Sequence, residues 1–256
     1  MLFATLRFAF VAIPLVFILP KPQASWRHIA EYGFLLGFGQ FGLLFIAMQS
    51  DITPGLASLV IQTQVFFSII LASFIFKEIV SRIQWIALSI SFSGIALIAS
   101  QLDGDTTFLG LALVLLAALS WAFANMTVKK SGPVNIIAFL AYSSLFAVPI
   151  LGVLSLYFEG WSLIKTSLQT ASMTSFYVVI WQSIGNTLIG YGLWNFLLNK
   201  YSAASVTPWA LLVPVSGMAT SYVLMNEPMQ IWKLAAAALV IAGLAINVLM
   251  MKKYKP

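Results

Sequence analysis

The chain has 256 residues, 61% of them apolar and only 8% charged, with a mean hydropathy of +0.99. Soluble domains carry about 25% charged residues, and even a 300-residue domain buries only about 75% of the surface its unfolded chain exposes, so a water-soluble fold is excluded. The net charge of +6 is scattered singly or in pairs between apolar runs, which excludes a nucleic-acid-binding patch, and the absence of cysteine excludes disulfides, thiol nucleophiles and thiolate metal sites.

A hydrocarbon core about 30 Å thick takes roughly 20 apolar residues per helix. Apolar runs bounded by charge, Pro or Gly predict nine spans, at 3–19, 29–49, 54–76, 83–100, 108–127, 135–157, 175–198, 206–225 and 233–251. The expected fold is an all-α, polytopic membrane helix bundle. The first span follows Met1 with no charged n-region, unlike a signal peptide. It carries Arg7, a lone cation between Leu6 and Phe8, for which two readings stand. One is a carboxylate-binding or gating group; the other is an arginine reaching out to the external interface. His28, the one histidine, reads as a solvated loop residue, and neither a metal nor a cofactor is implied.

The third span opens at Pro54 and holds Gln62 and Gln64 near its middle. These lie about 200° apart on a helix, so at most one is expected to line a solute pathway while the other bonds to a neighbouring helix. Trp121 and Asn125 in the fifth span are further pathway candidates. In the seventh, Trp181, Gln182 and Asn186 are expected to line the pathway. Amides can bond both ammonium and carboxylate, and aromatic faces attract cations. The alternative is interhelical hydrogen bonding, worth about 0.6 kcal/mol on average, with aromatics in the interface belt. Tyr191, Trp194 and Asn195 in the same span are assigned to neither role. Pro208 and Pro214 in the eighth span are expected bending points, because proline removes a ladder bond.

Orientation follows from Lys and Arg. One set of alternate loops collects Lys21, Arg27, Lys77, Arg82, Lys129, Lys130, Lys200, Lys252, Lys253 and Lys255, against Lys165 and Lys233 on the other. This places the C-terminus in the cytoplasm of an inner membrane and Asp51, Asp103, Asp105, Glu159 and Glu227 outside. An internal repeat runs through the same spans. Glu78 precedes Gly94 by 16 residues and Glu227 precedes Gly243 by 16, the two pairs being offset by 149. Five helices separate equivalent positions, and an odd number inverts the second copy. The expected organisation is two inverted five-helix repeats, 1–104 and 105–256, a design suited to alternating access. The first copy has only four spans, so its first helix is expected to be missing. Glu78 and Glu227 lie at helix ends, where capping or pairing with Lys77, Arg82 or Lys233 is the expected role.

Three stretches then carry a family likeness: Thr53 to Gln64 running on to Lys77-Glu78, Leu119 to Asn125 with Lys129-Lys130, and Gly190 to Trp194 through Leu211 to Val215 and on to Asn226-Glu227-Pro228. With these the chain resembles the EamA-like branch of the drug/metabolite transporter superfamily. Gln62-Thr63-Gln64 and Gly190 to Trp194 lean toward members that export amino-acid metabolites such as O-acetylserine and cysteine. The resemblance implies a non-enzymatic secondary transporter whose partners are a small solute and the lipid bilayer. A membrane enzyme would need a convergent nucleophile and base, which these residues do not offer. A non-transporting or inactive truncated membrane protein is the other alternative.

Overall fold

The computed structural model describes residues 1–101 and 106–251, side chains excepted at 208, 211, 212, 215, 244 and 247–251. Asp103, Asp105, Lys252, Lys253 and Lys255 lie outside the described residues. The described chain is mostly helical, its helices joined by short linkers. Its elements are α1 (Leu2–Ile18), α2 (Trp26–Ala47), α3 (Pro54–Phe76), α4 (Arg82–Ser100), α5 (Phe108–Ser131), α6 (Ile136–Phe158), α7 (Gly160–Gln169), α8 (173–200), α9 (203–225) and α10 (Ile231–Met251). Helices α2 to α6 are each long and apolar enough to cross a membrane, while α1 and Ile231–Gly243 of α10 are shorter apolar helices. The protein is a polytopic helical membrane bundle, the form in which a spanning chain satisfies its own backbone hydrogen bonds.

Local chemistry sets the helix starts. The side chains of Ser25, Asn135, Ser172 and Ser202 each accept an amide hydrogen bond at the head of α2, α6, α8 and α9. Ser81 and Gln84 form a reciprocal capping box on α4, and Pro54 opens α3 where its missing N–H costs nothing. Because Ser25 caps α2, that helix begins three residues earlier than expected, and His28 lies in its first turn rather than in a loop. Helix α7 is an extra element between α6 and α8, with only Ile164 buried.

The chain divides into two compact units. The first comprises Met1–Gly42 and Ala124–Lys200. In it α6 packs on α1 and α2, and α1 packs on the middle of α8. The second comprises Leu43–Phe123 and Tyr201–Pro256, with α4 along α10 and α3 against α9. Each unit thus takes segments from both halves of the chain.

Several backbone features recur along the chain. The only non-glycine residues with positive φ among those described are Lys77 (58°) and Asn226 (54°), which are 149 positions apart. After each, the Glu amide reaches back to the last turn, Glu78 to the Ala72 carbonyl at 3.4 Å and Glu227 to that of Ser221 at 3.2 Å. π-helical segments interrupt α2 at Leu35–Gly42 and α8 at Gln182–Gly190. Short 3₁₀ segments interrupt α3 at Ile61–Thr63 and α9 at Thr207–Leu211. Both pairs fall at nearly the same spacing.

The packing of α4 on α10 follows that spacing too. Ser91 Oγ donates to the Val240 carbonyl at 3.0 Å, across 149 positions. A Cβ on Gly94 would stand 2.9 Å from the Ala236 carbonyl oxygen and from Val240 Cγ2, and one on Gly243 would strike Ser91 Oγ and the Ala87 carbonyl. Positions 87 and 91 correspond to 236 and 240 under the same offset. Each glycine therefore lies on the stretch that its counterpart's helix presents, as at a two-fold crossing. Without bulk at either position the backbones meet closely, which is how helices associate where lipid removes the hydrophobic driving force.

Candidate functional site

In the first unit, polar side chains converge where α1 meets the π segments of α2 and α8. Arg7 is 4% exposed. About 8 Å of helical rise separates it from the Leu2 end of α1 and about 16 Å from the Ile18 end, so it lies inside the helix and away from either terminus. Its guanidinium carbon lies 4.1 Å from the centroid of Phe41 and 4.6 Å from that of Phe8, rings that themselves pack edge-on at 5.7 Å. Ser183, in the π segment of α8, donates to the Arg7 carbonyl at 3.1 Å and ties the two helices together. A π turn (i→i+5) rotates less per residue than an α turn, so the neighbours Gln40 and Phe41 both point inward, and both are buried.

Two phenols complete the cluster, Tyr191 packed against Phe41 and Tyr32 bonded to Asn195, one helical turn beyond Tyr191. Gln40 Nε2 donates to the Tyr191 hydroxyl at 3.0 Å, and Asn195 Nδ2 to the Tyr32 hydroxyl at 2.9 Å. Phe41 packs edge-on against Tyr191 at 6.3 Å and Phe139 tilts against Tyr32 at 5.2 Å. Among the described residues, Arg7 Nε and Nη2, Gln40 Oε1 and Asn195 Oδ1 are buried without a hydrogen-bond partner. A buried cation without its counter-charge costs several kcal/mol, and ring faces return about 2 kcal/mol when desolvated. The rings lie against the guanidinium, and its Nε and Nη2 have no hydrogen-bond partner among the described residues.

The expected pathway residues are distributed as follows. Asn125, 1% exposed, accepts from Trp194 Nε1 at 3.0 Å in the same unit. Trp181 is 70% exposed and Asn186 is also exposed, with Asn186 Nδ2 donating to Gln182 Oε1 at 2.8 Å. The cluster thus gathers Arg7 with Tyr32, Gln40, Tyr191 and Asn195. Tyr32 and Gln40 went unnoticed in the sequence. The available signal was an amide at mid-span in the stretch Gly37-Phe38-Gly39-Gln40-Phe41-Gly42.

In the second unit, Gln62 and Gln64 are both fully buried around the 3₁₀ segment of α3. Gln64 Oε1 accepts from Ser68 at 3.4 Å, while neither amide atom of Gln62 has a partner among the described residues. Trp121 is half-buried. Pro208 belongs to the 3₁₀ segment of α9, its side chain lying outside the described residues, and Pro214 is buried in the first turn of the α-helix that follows. Glu78 is half-buried beyond the end of α3. Glu227 is buried, and it caps the start of α3. It accepts from Thr53 Oγ1 at 2.5 Å, from the Gly55 amide at 3.0 Å and from Lys233 Nζ at 3.1 Å. Burial pushes its carboxyl up, but the bonds from Thr53, Lys233 and Gly55 and the Lys233 charge outweigh that and hold it below the usual carboxylate range.

Comparison with known proteins adds the following. The model of the EamA-like transporter family matches residues 1–100 and 108–249. A probable amino-acid metabolite efflux pump of Salmonella typhimurium is 38% identical over 97% of this chain and 85% of its own length. A protein of the same description from Escherichia coli is 35% identical over the same shares. A protein of known crystal structure superposes over 100% of this chain and 89% of its own with a TM-score of 0.69 at 17% identity, a likeness of fold.

Proposed function

We propose, from the premise that the chain belongs to the EamA-like transporter family, that it exports small metabolites of the amino-acid class across an inner membrane. The mechanism is alternating access between two inverted repeats, 1–104 and 105–256, with the C-terminus cytoplasmic. The observation that carries this reading is the pairing of Gly94 and Gly243 across α4 and α10, each set against the other's equivalent residues. Two copies related in this way can exchange conformations while a solute site near mid-depth stays in place. The buried polar cluster around Arg7 is the candidate for that site, and the names of the bacterial relatives support the solute class.

Two experiments test the proposal. Cells overproducing the protein should release more O-acetylserine or cysteine than control cells. Unchanged release with correctly inserted protein removes the solute class. Topology is accessible because the chain has no native cysteine. A Lys165→Cys variant should react with an impermeant maleimide on intact spheroplasts, and a Lys130→Cys variant only after permeabilisation. The reverse pattern overturns the orientation, and labelling of both from outside shows that α6 does not cross the membrane and overturns the proposed topology.

A further inference from the structure

We infer that Arg7, Gln40 and Asn195 form a recognition site for the carboxylate of a small α-amino monocarboxylic acid. This rests on the exporter reading above and names the chemistry of the solute. The two Arg7 nitrogens without a partner are Nε and Nη2. They are the adjacent pair whose N–H bonds run parallel along one edge of the guanidinium, the fork that takes both oxygens of a carboxylate at once. Phe41 and Phe8 flank the side chain, and Ser183 bonds the Arg7 backbone carbonyl.

The surroundings set what else the solute carries. Each phenol near Arg7 takes the N–H of a buried amide, Tyr191 from Gln40 and Tyr32 from Asn195, which orients both amides and leaves their carbonyl oxygens unpartnered. Two orphaned acceptors in the cluster that holds a carboxylate fork suit an ammonium or hydroxyl donor on the same small molecule. The balance of donors and acceptors disfavours a second carboxylate. The buried charged side chains among the described residues are Arg7, Glu227 and Lys233, of which the last two pair with each other in the second unit. One buried cation with a free fork matches one carboxylate. A second carboxylate would face the two orphaned amide oxygens, which can only accept and would repel it, and an amine or amide would leave the fork unmet.

The test uses the full chain, purified and reconstituted in liposomes, with O-acetyl-L-serine, its carboxamide and L-aspartate as probes. Two readouts are taken: inhibition of labelled O-acetylserine counterflow, and the ligand-induced shift of thermal unfolding. On the unaltered protein the carboxamide and aspartate should each act at least about tenfold more weakly than O-acetylserine, as a site built for a polar group rejects analogues that lack it. Arg7→Gln should abolish the difference between acid and amide, and Arg7→Lys, which keeps the charge without the fork, should restore part of it. A carboxamide that acts as well as the acid overturns the site, whether or not Arg7→Gln folds, and leaves the exporter reading in place. An acid-selective thermal shift without counterflow upholds the site and overturns the exporter. Neither shift nor counterflow overturns both.

Discussion

Gly243→Leu should abolish the recovery of folded, monodisperse protein, and Gly243→Ala should lower stability rather than raise it. In an open helical position glycine to alanine stabilises by about 0.4–1 kcal/mol, through the unfolded chain. At Gly243 the added carbon strikes the Ala87 carbonyl and Ser91 Oγ. The first is backbone, so α4 and α10 must separate to admit it. Overpacking a close contact costs about 1–3 kcal/mol for a methyl group, and a leucine there removes the interface. Gly94→Ala meets the Ala236 carbonyl oxygen at 2.9 Å and should behave alike but more mildly. Unfolding in SDS or by heat, read by tryptophan fluorescence, measures both. A rise in stability for Gly243→Ala would show that the helices do not approach as described.

Glu227→Ala should cost about 3–5 kcal/mol, the range for removing one partner of a buried ion pair. The loss has two parts. Lys233, 4% exposed, is left as a buried charge, and the Thr53 hydroxyl and Gly55 amide at the head of α3 lose their acceptor. A carboxylate there also meets the positive end of the helix dipole. Lys233→Met in the Glu227→Ala background should recover several tenths to most of the loss, because the stranded charge is then gone, and a double-mutant cycle isolates the pair. The pH dependence has a definite sign. Since the folded carboxyl is held below its ordinary value, its contribution is fully present above the ordinary carboxylate range. It is lost as the pH falls through that range toward the depressed folded value. Equal stability of Glu227→Gln and the unaltered protein from neutral pH down to the acid limit would remove the ion pair as a stabilising element.

The bundle was legible because lipid demands long apolar runs, and α2 to α6 lie within a few residues of the expected spans. What escaped were features set by side-chain facing. A span apolar on every side has no periodic stripe to orient it, so nothing showed that Arg7, Gln40 and Tyr191 would face one another. The π segment that turns Gln40 and Phe41 inward together leaves little trace beyond its glycines. Gln62 and Gln64, expected on different faces of α3, are both fully buried, because α3 is enclosed over much of its circumference. Ser25 shows a smaller failure of the same kind. Its cap draws Trp26, Arg27 and His28 into α2, although their polarity argues for a loop.

The α4–α10 crossing obeys the rule of an isologous interface, in which residue i touches j and j touches i. It does so inside one polypeptide. In a true homodimer the two halves of such a contact are bound to change together, because one codon specifies both. Here separate codons specify the two sides, and the sides differ at the centre. Ser91 sends a hydrogen bond to the Val240 carbonyl, whereas Val240, 149 positions on, has no hydroxyl to return one. Both glycines make the close approach, while the polar bond is made from one side only. Under the proposed repeat, each half of a symmetric contact is separately adjustable.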